Sequence, residues 1–415
     1  MATEVREPQV TTLPSARPAG TAVRISKPAR LVSLDAFRGF IMILLTMEGF
    51  GLYKVAQTML HQPGAHPFWG VVGYQFEHTE WTGCSFWDLI QPSFMFMVGV
   101  AMPFSIASRR ARGDSEAKLL GHALWRSFAL VVLGIFLMSN NKLMPNYTFE
   151  NVLTQIGLGY FFVFLLAGRG WRVQLGAVAL ILVGYWLLFA LWPVPGPDFD
   201  YAQVGVPSDW PHLTGLFAHW DKNTNAAAAF DSWFLNLFPQ KGGRFLFNAG
   251  GYQTLNFIPS MATMLFGLMA GELLRGPRSR GAKFLRLVLA ALVCLAVGWA
   301  LDQTVCPSVK RIWTPSWAVF STGWTLLMLA GFFLIVDGWG FRRWSLPLVV
   351  VGMNSIAIYC MAMTLKGWIA GRLQCHISPH IFDGMYGPMV RATVIGFVLW
   401  LVCLWLYRRR IFLKI

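Results

Sequence analysis

The sequence predicts an all-α polytopic membrane protein with about ten transmembrane helices, both termini cytoplasmic, and two long extracytoplasmic loops. Three observations predict it. Hydrophobic residues make up 55% of the 415 residues and charged ones only 13%, with a mean hydropathy of +0.51, far from the balance of a water-soluble domain. Apolar runs of roughly 17 to 25 residues, each long enough to span a ~30 Å hydrocarbon layer, recur from Phe37 almost to the end. Lys and Arg concentrate in alternate connections between those runs.

The runs read as spans at 37–55, 88–108, 119–138, 151–168, 172–192, 254–274, 284–302, 315–337, 345–366 and 391–407. Helices are the expected form, because a helix satisfies its own backbone groups in lipid. Of the 34 Lys and Arg residues, 23 fall in the N-terminal segment through Arg38, in every second connection or after span ten, 10 fall on the opposite side, and Arg126 lies within a span. Basic residues are retained on the cytoplasmic side, so the richer side is the inside. The first 30 residues carry Pro, Thr, Ala and Arg without hydrophobic periodicity and read as a disordered cytoplasmic tail, leaving 31–415 as the transmembrane domain.

The net charge of +15 sits in short loops beside the spans, where topology and lipid headgroups account for it, and no nucleic-acid partner is expected. Six cysteines, three of them within spans, do not form a disulfide framework. No His/Cys cluster has zinc spacing, so no metal is expected. Lipid-facing and partner-facing helix surfaces look alike in sequence, which leaves monomer and homodimer open.

Two outer connections stand out by length, 56–87 and 193–253. The second, with five prolines before residue 212, reads as a lid or small extramembrane layer with short helices. The first ends in QFEHTEWTGCSFWDLIQPSFMFMVGV, where His78 and three carboxylates gather at the mouth of span two. An imidazole with an ordinary pKa near ~6.5 accepts a proton near neutrality, and a carboxylate such as Asp88 fixes its tautomer. The plainer reading makes His78 an interfacial polar residue beside Trp81 in an aromatic belt.

Four stretches resemble the heparan-α-glucosaminide N-acetyltransferase family and its bacterial relatives. They are RLVSLDAFRG from Arg30 to Gly39; His78, Trp81, Gly83, Asp88, Leu89, Pro92, Phe94, Phe96 and Gly99 at matching spacing; Lys310, Ile312, Trp313, Thr314 and Ser316; and Gly352-Met353-Asn354-Ser355-Ile356 with Tyr359. The chain departs from the family's pattern at Met47-Glu48-Gly49-Phe50, where that family often carries Asn, and after Gln155, where an Arg often follows.

The resemblance implies an acetyl-CoA-dependent acyltransferase of the bacterial inner membrane. It would move acetyl from cytoplasmic acetyl-CoA to an extracytoplasmic amino sugar or glycan, with His78 as base or acetyl carrier and Asp88 beside it. A thioester held at the inner surface reaches His78 only through a cavity between helices. Polar groups within spans, Glu48, Arg126, Gln155 and Asn354, are candidates to line it or to join helices. Glu48, Trp81, Trp313 and Asn354 are the expected substrate contacts, and Arg126, Arg278 and Arg280 the expected contacts to CoA phosphates. Two other classes stay open from sequence: a transporter of a small sugar-like or amphipathic solute, and a catalytically silent envelope scaffold.

Overall fold

A computed structural model describes residues 31–240 and 243–413, so the expected tail at 1–30 lies outside the described residues. The described chain is helical, with no strand. Its α-helices are α1 (Val32–Thr46), α2 (Leu52–Leu60), α3 (Phe68–Gln75), α4 (Ile90–Arg110), α5 (Glu116–Met138), α6 (Val152–Leu165), α7 (Trp171–Ala190) and α8 (Ala226–Phe234). They continue with α9 (Phe257–Arg275), α10 (Arg280–Thr304), α11 (Pro315–Phe332), α12 (Leu346–Gly352), α13 (Ser355–His376) and α14 (Gly387–Arg408).

Among the described residues, seven helices are long and apolar enough to cross a bilayer, or nine when each of two bent pairs counts as one span. This is a multi-pass membrane protein. The remaining expected span, 151–168, is the 14-residue apolar helix α6, about 21 Å long at ~1.5 Å per residue and shorter than the others.

The two bends have local causes that hydropathy does not register. Between α1 and α2 the backbone turns left-handed over four consecutive residues, Glu48, Gly49, Phe50 and Gly51, with φ between 47° and 66°. For Glu48 and Phe50 that conformation costs on the order of 1–2 kcal/mol each. Gly51 packs against the Pro388 backbone too closely to admit a Cβ. The second bend, 67°, falls between α12 and α13. There the buried Asn354 amide donates to the Ile411 carbonyl at 3.1 Å and accepts the Leu413 N–H at 3.1 Å, tying the C-terminal segment to the break.

Helices α4, α9 and α11 are the most buried of the long helices, whereas α5, α7, α10 and α14 bury less than a third of their apolar windows. Close approach between α4 and α9 depends on small residues. A Cβ at Gly99 would collide with the Met264 carbonyl, and one at Gly267 with the Phe96 carbonyl. Such contacts replace the hydrophobic effect as the source of helix association in lipid. Gly39 and Gly352 bring α1 and α12 together in the same way.

The segment 193–253 carries short helices, including 3-10 turns at Tyr201–Val204 and Gly215–Trp220 and the helix α8. Its core joins Trp210, Trp220 and Ala227 to Trp81 from the first long connection and to Val309 and Ile312 from the α10–α11 connection. All six cysteines are free.

Replacing Gly99 by Val is expected to destabilise the protein by ~1–3 kcal/mol through overpacking of α4 on α9. Thermal unfolding in detergent would show it as a lowered melting temperature or loss of folded protein, and a wild-type melting temperature would contradict the close-packing account.

Candidate functional site

The site begins with a helix cap. In Ser85-Phe-Trp-Asp88 the Ser85 Oγ accepts the Asp88 N–H at 3.2 Å, and Asp88 Oδ2 accepts the Ser85 N–H at 3.2 Å. This reciprocal pair is a capping box at the entry to α4, with Asp in the position Glu usually takes. The cap fixes the Asp88 carboxylate at the positive end of a helix. Thr79 adds its N–H at 3.2 Å and its hydroxyl at 3.0 Å to the same oxygen.

Asp88 is fully buried, so its remaining oxygen needs positive partners. Two reach Oδ1: His78 Nδ1 at 2.8 Å and Lys310 Nζ at 3.3 Å. Lys310 also lies 2.8 Å from His78 Nδ1 and 3.4 Å from Nε2. The irregular α10–α11 connection delivers it. The Gly83 N–H donates to the Ser308 carbonyl at 2.9 Å, Thr82 bridges Val309, and Thr314 Oγ1 accepts the Val309 N–H at 3.0 Å. Next to it, Arg311 donates to the carbonyls of Gly250 (2.7 Å) and Thr79 (3.4 Å), and its guanidinium lies 5.4 Å from the centre of the Tyr252 ring.

Asp88 and Lys310 both come within 2.8 Å of Nδ1 and make opposite demands on it, a hydrogen for the carboxylate and a lone pair for the ammonium, and the tautomer we assign is the one the buried carboxylate favours. An ionised carboxylate only accepts, so a 2.8 Å approach to Nδ1 requires the hydrogen on Nδ1. The lone pair is then on Nε2. Burial holds the His78 pKa below its ordinary value; the hydrogen bond to Asp88 opposes this, while Lys310 and Arg311 add to it. Burial also pulls Lys310 down to about 8, against the attraction of Asp88. An imidazole that is neutral at neutral pH, oriented by a carboxylate and one-third exposed, is suited to act as a base or a nucleophile.

His78 and Lys310 border a cavity of about 180 Å³ that runs between helices, with Leu45 of α1, Gln91 and Phe94 of α4, Val152 of α6 and Tyr359 of α13 on its walls. A larger cavity of about 490 Å³ touches the same capping turn through Ser85, Phe86 and Leu89 but does not reach His78. Its one carboxylate, Asp302, is committed to the Ser308 N–H at 2.6 Å. Chemistry therefore favours the smaller cavity.

The other sequence-expected residues lie elsewhere. Glu48 sits in the left-handed turn and pairs with Lys366 at 2.9 Å, away from the cavity lining. Trp81 is buried with its indole N–H on the Trp220 carbonyl at 3.0 Å, and Trp313 is buried with its N–H on Thr263 at 3.3 Å. Neither offers a free ring face to a sugar, and Asn354 holds the C-terminal segment as described. Arg126 lies over the Tyr160 ring at 4.7 Å, midway along α5. Arg278 and Arg280 are exposed at the turn between α9 and α10, at the bundle end opposite His78.

Sequence reasoning missed Lys310 as a site residue, although it opens the third matched stretch. Its signal was a Lys-Arg pair on the side otherwise poor in basic residues. It also missed a second acidic pair. Glu150 accepts from Asn248 at 2.6 Å, and Asp231 accepts the Thr254 N–H at 2.9 Å. Burial and the nearby Asp231 charge push Glu150 up to about 7, and burial lifts Asp231 to about 6.

Fold and site together define a multi-pass helical membrane protein with a part-exposed histidine on a buried Asp–Lys pair beside an interhelical cavity. Among known proteins, the chain is similar to human (Homo sapiens) heparan-alpha-glucosaminide N-acetyltransferase, 26% identical over 435 aligned residues, and to the mouse (Mus musculus) protein of the same name, 24% identical over 441. Each comparison covers 94% of this chain, which spans about 60% of the length of those relatives. No protein-family model matches the chain.

Acids whose folded pKa lies above the unfolded value stabilise the fold at low pH and lose that contribution as pH rises through the folded pKa. Glu150 and Asp231 therefore make the melting temperature fall between about pH 4 and about pH 7, from their unfolded to their folded values. Scanning the double variant Glu150→Gln, Asp231→Asn beside wild type should show a flatter profile by several degrees; parallel profiles would refute the assignment.

Proposed function

We propose that this chain is a membrane acyltransferase that moves an acetyl group from cytoplasmic acetyl-CoA to an amino sugar or glycan on the opposite side of a bacterial inner membrane. The observation that carries this reading is the His78–Asp88 pair at 2.8 Å, with Nε2 left as the basic nitrogen of a side chain bordering an interhelical cavity. The similarity to two N-acetyltransferases over nearly the whole chain supports it. The concentration of Lys and Arg at the end opposite His78 supports a topology with both termini inside and His78 outside.

In a direct transfer the acceptor amine attacks the thioester carbonyl, its proton passes to His78 Nε2, and the thiolate leaves and takes that proton. In a carrier mechanism Nε2 itself attacks, the C–S bond breaks, and the acetyl-imidazole is consumed by the amine in a second step. Asp88 serves both routes, because either one makes the ring cationic while Nδ1–H faces the carboxylate. The metal-free chemistry of the sequence reading suffices for each step. Arg126, Arg278 and Arg280 are the proposed contacts of the CoA phosphates, while Trp81, Trp313 and Asn354 act through the scaffold. Glu48, paired with Lys366 away from the cavity, acts through the bend and not on the acceptor.

With reconstituted protein, radiolabelled acetyl-CoA and glucosamine, His78→Ala is expected to lower transfer by roughly 10²–10⁴-fold, and Asp88→Asn by a comparable factor through loss of the reactive tautomer. Transfer at the wild-type rate in folded His78→Ala would remove His78 from the mechanism. Mixing enzyme with acetyl-CoA alone separates the routes: release of one equivalent of CoA before acceptor is added marks the carrier, and no release marks direct transfer.

A further inference from the structure

We propose that Lys310 is a positioning residue whose ammonium, set against the ring, keeps the His78 imidazole neutral, so that the site remains basic below the pH at which an ordinary histidine would be protonated. The inference rests on the transfer reading only for its consequence in activity. Its geometric basis is independent of that reading.

Asp88 alone would make His78 a better proton acceptor and hold it as imidazolium, the usual outcome for a histidine on a buried carboxylate. Such a ring has no lone pair to offer. Burial opposes this first, and Lys310 adds to it, because its ammonium lies 2.8 Å from Nδ1 and 3.4 Å from Nε2, in contact with both ring nitrogens, and 3.3 Å from the carboxylate. A second positive charge on the ring would be placed against the first with almost no water between them, since Lys310 is 4% exposed. By donating to Asp88 Oδ1, Lys310 also occupies acceptor capacity that an imidazolium would otherwise draw on more fully.

The charged and titratable groups around His78 come from five segments, one of them α13, whose Tyr359 lines the same cavity. Asp88 lies on the capping turn; Lys310 and Arg311 lie on the α10–α11 connection; Glu77 and Glu80 flank His78 in its own loop; and Tyr252 approaches from the segment before α9. Arg311 acts in the same direction as Lys310 but without contacting the ring, its guanidinium being committed to two carbonyls.

The experiment reads His78 directly, without any substrate. Purified full-length protein is treated with diethyl pyrocarbonate across a pH series, and carbethoxylation of the His78 peptide is followed by mass spectrometry. Wild type should show a midpoint below the ordinary ~6.5 of a free histidine. Lys310→Met and Lys310→Gln should raise that midpoint by about one unit or more, and Lys310→Arg should restore it toward wild type. The acid limb of kcat/KM for acetyl transfer should move by the same amount. A wild-type midpoint at or above 6.5 would overturn the proposal without any variant, as would an unchanged or lowered midpoint in a folded Lys310→Met protein. A midpoint that rises as expected in a protein that transfers no acetyl group would leave the role of Lys310 standing and sink the transferase reading instead.

Discussion

One buried carboxylate organises this protein's reactive end. Removing a carboxylate from water costs several kcal/mol after relaxation unless donors and counter-charges replace the lost solvation. Asp88 meets that demand with the capping turn of its own helix, two donors from Thr79, an imidazole ten residues before it and an ammonium 222 residues after it in sequence. Each of those partners is fixed by the same requirement. The first long connection cannot move away from the α10–α11 connection without stranding a charge, and so His78 and Lys310 remain in contact at the cavity mouth.

The rest of the bundle supports that arrangement from below and above. Below, glycine contacts let α4 and α9 approach at backbone distance, which holds the helix that carries the cap. Above, Trp81 reaches from the His78 loop into the core of the 193–253 segment, and Val309 and Ile312 reach into it from the Lys310 segment. The tryptophan next to the histidine thus positions the loop. Arg311 makes the same connection with hydrogen bonds, joining Thr79 to Gly250. A site on loops acquires the precision of a rigid element when both loops share one core.

Much of this was legible in the sequence, and the remainder was hidden for physical reasons. Hydropathy located every long helix because the length of an apolar run reports the thickness of lipid. It overestimated α6, whose run continues past the helix end at Leu165, and it missed the left-handed turn at Glu48–Gly51, since composition carries no φ. His78 and Asp88 were legible because a local loop and a helix cap bring them together within ten residues. Lys310 was not, because only the folded bundle brings it beside His78 across 232 residues. Trp81 and Trp313 were read as ring faces for a sugar; a Trp in an outer loop looks the same whether its N–H meets water or a buried carbonyl. The structure resolved that ambiguity through the partners of the two indoles.

The central claim, that the Asp88 charge binds two distant segments into one site, is tested most directly by hydrogen–deuterium exchange on Asp88→Ala beside wild type. The account predicts that amides of 76–89 and of 306–314 lose protection together while the α4–α9 contact region stays protected. Wild-type protection of 306–314 in a folded Asp88→Ala protein would contradict it.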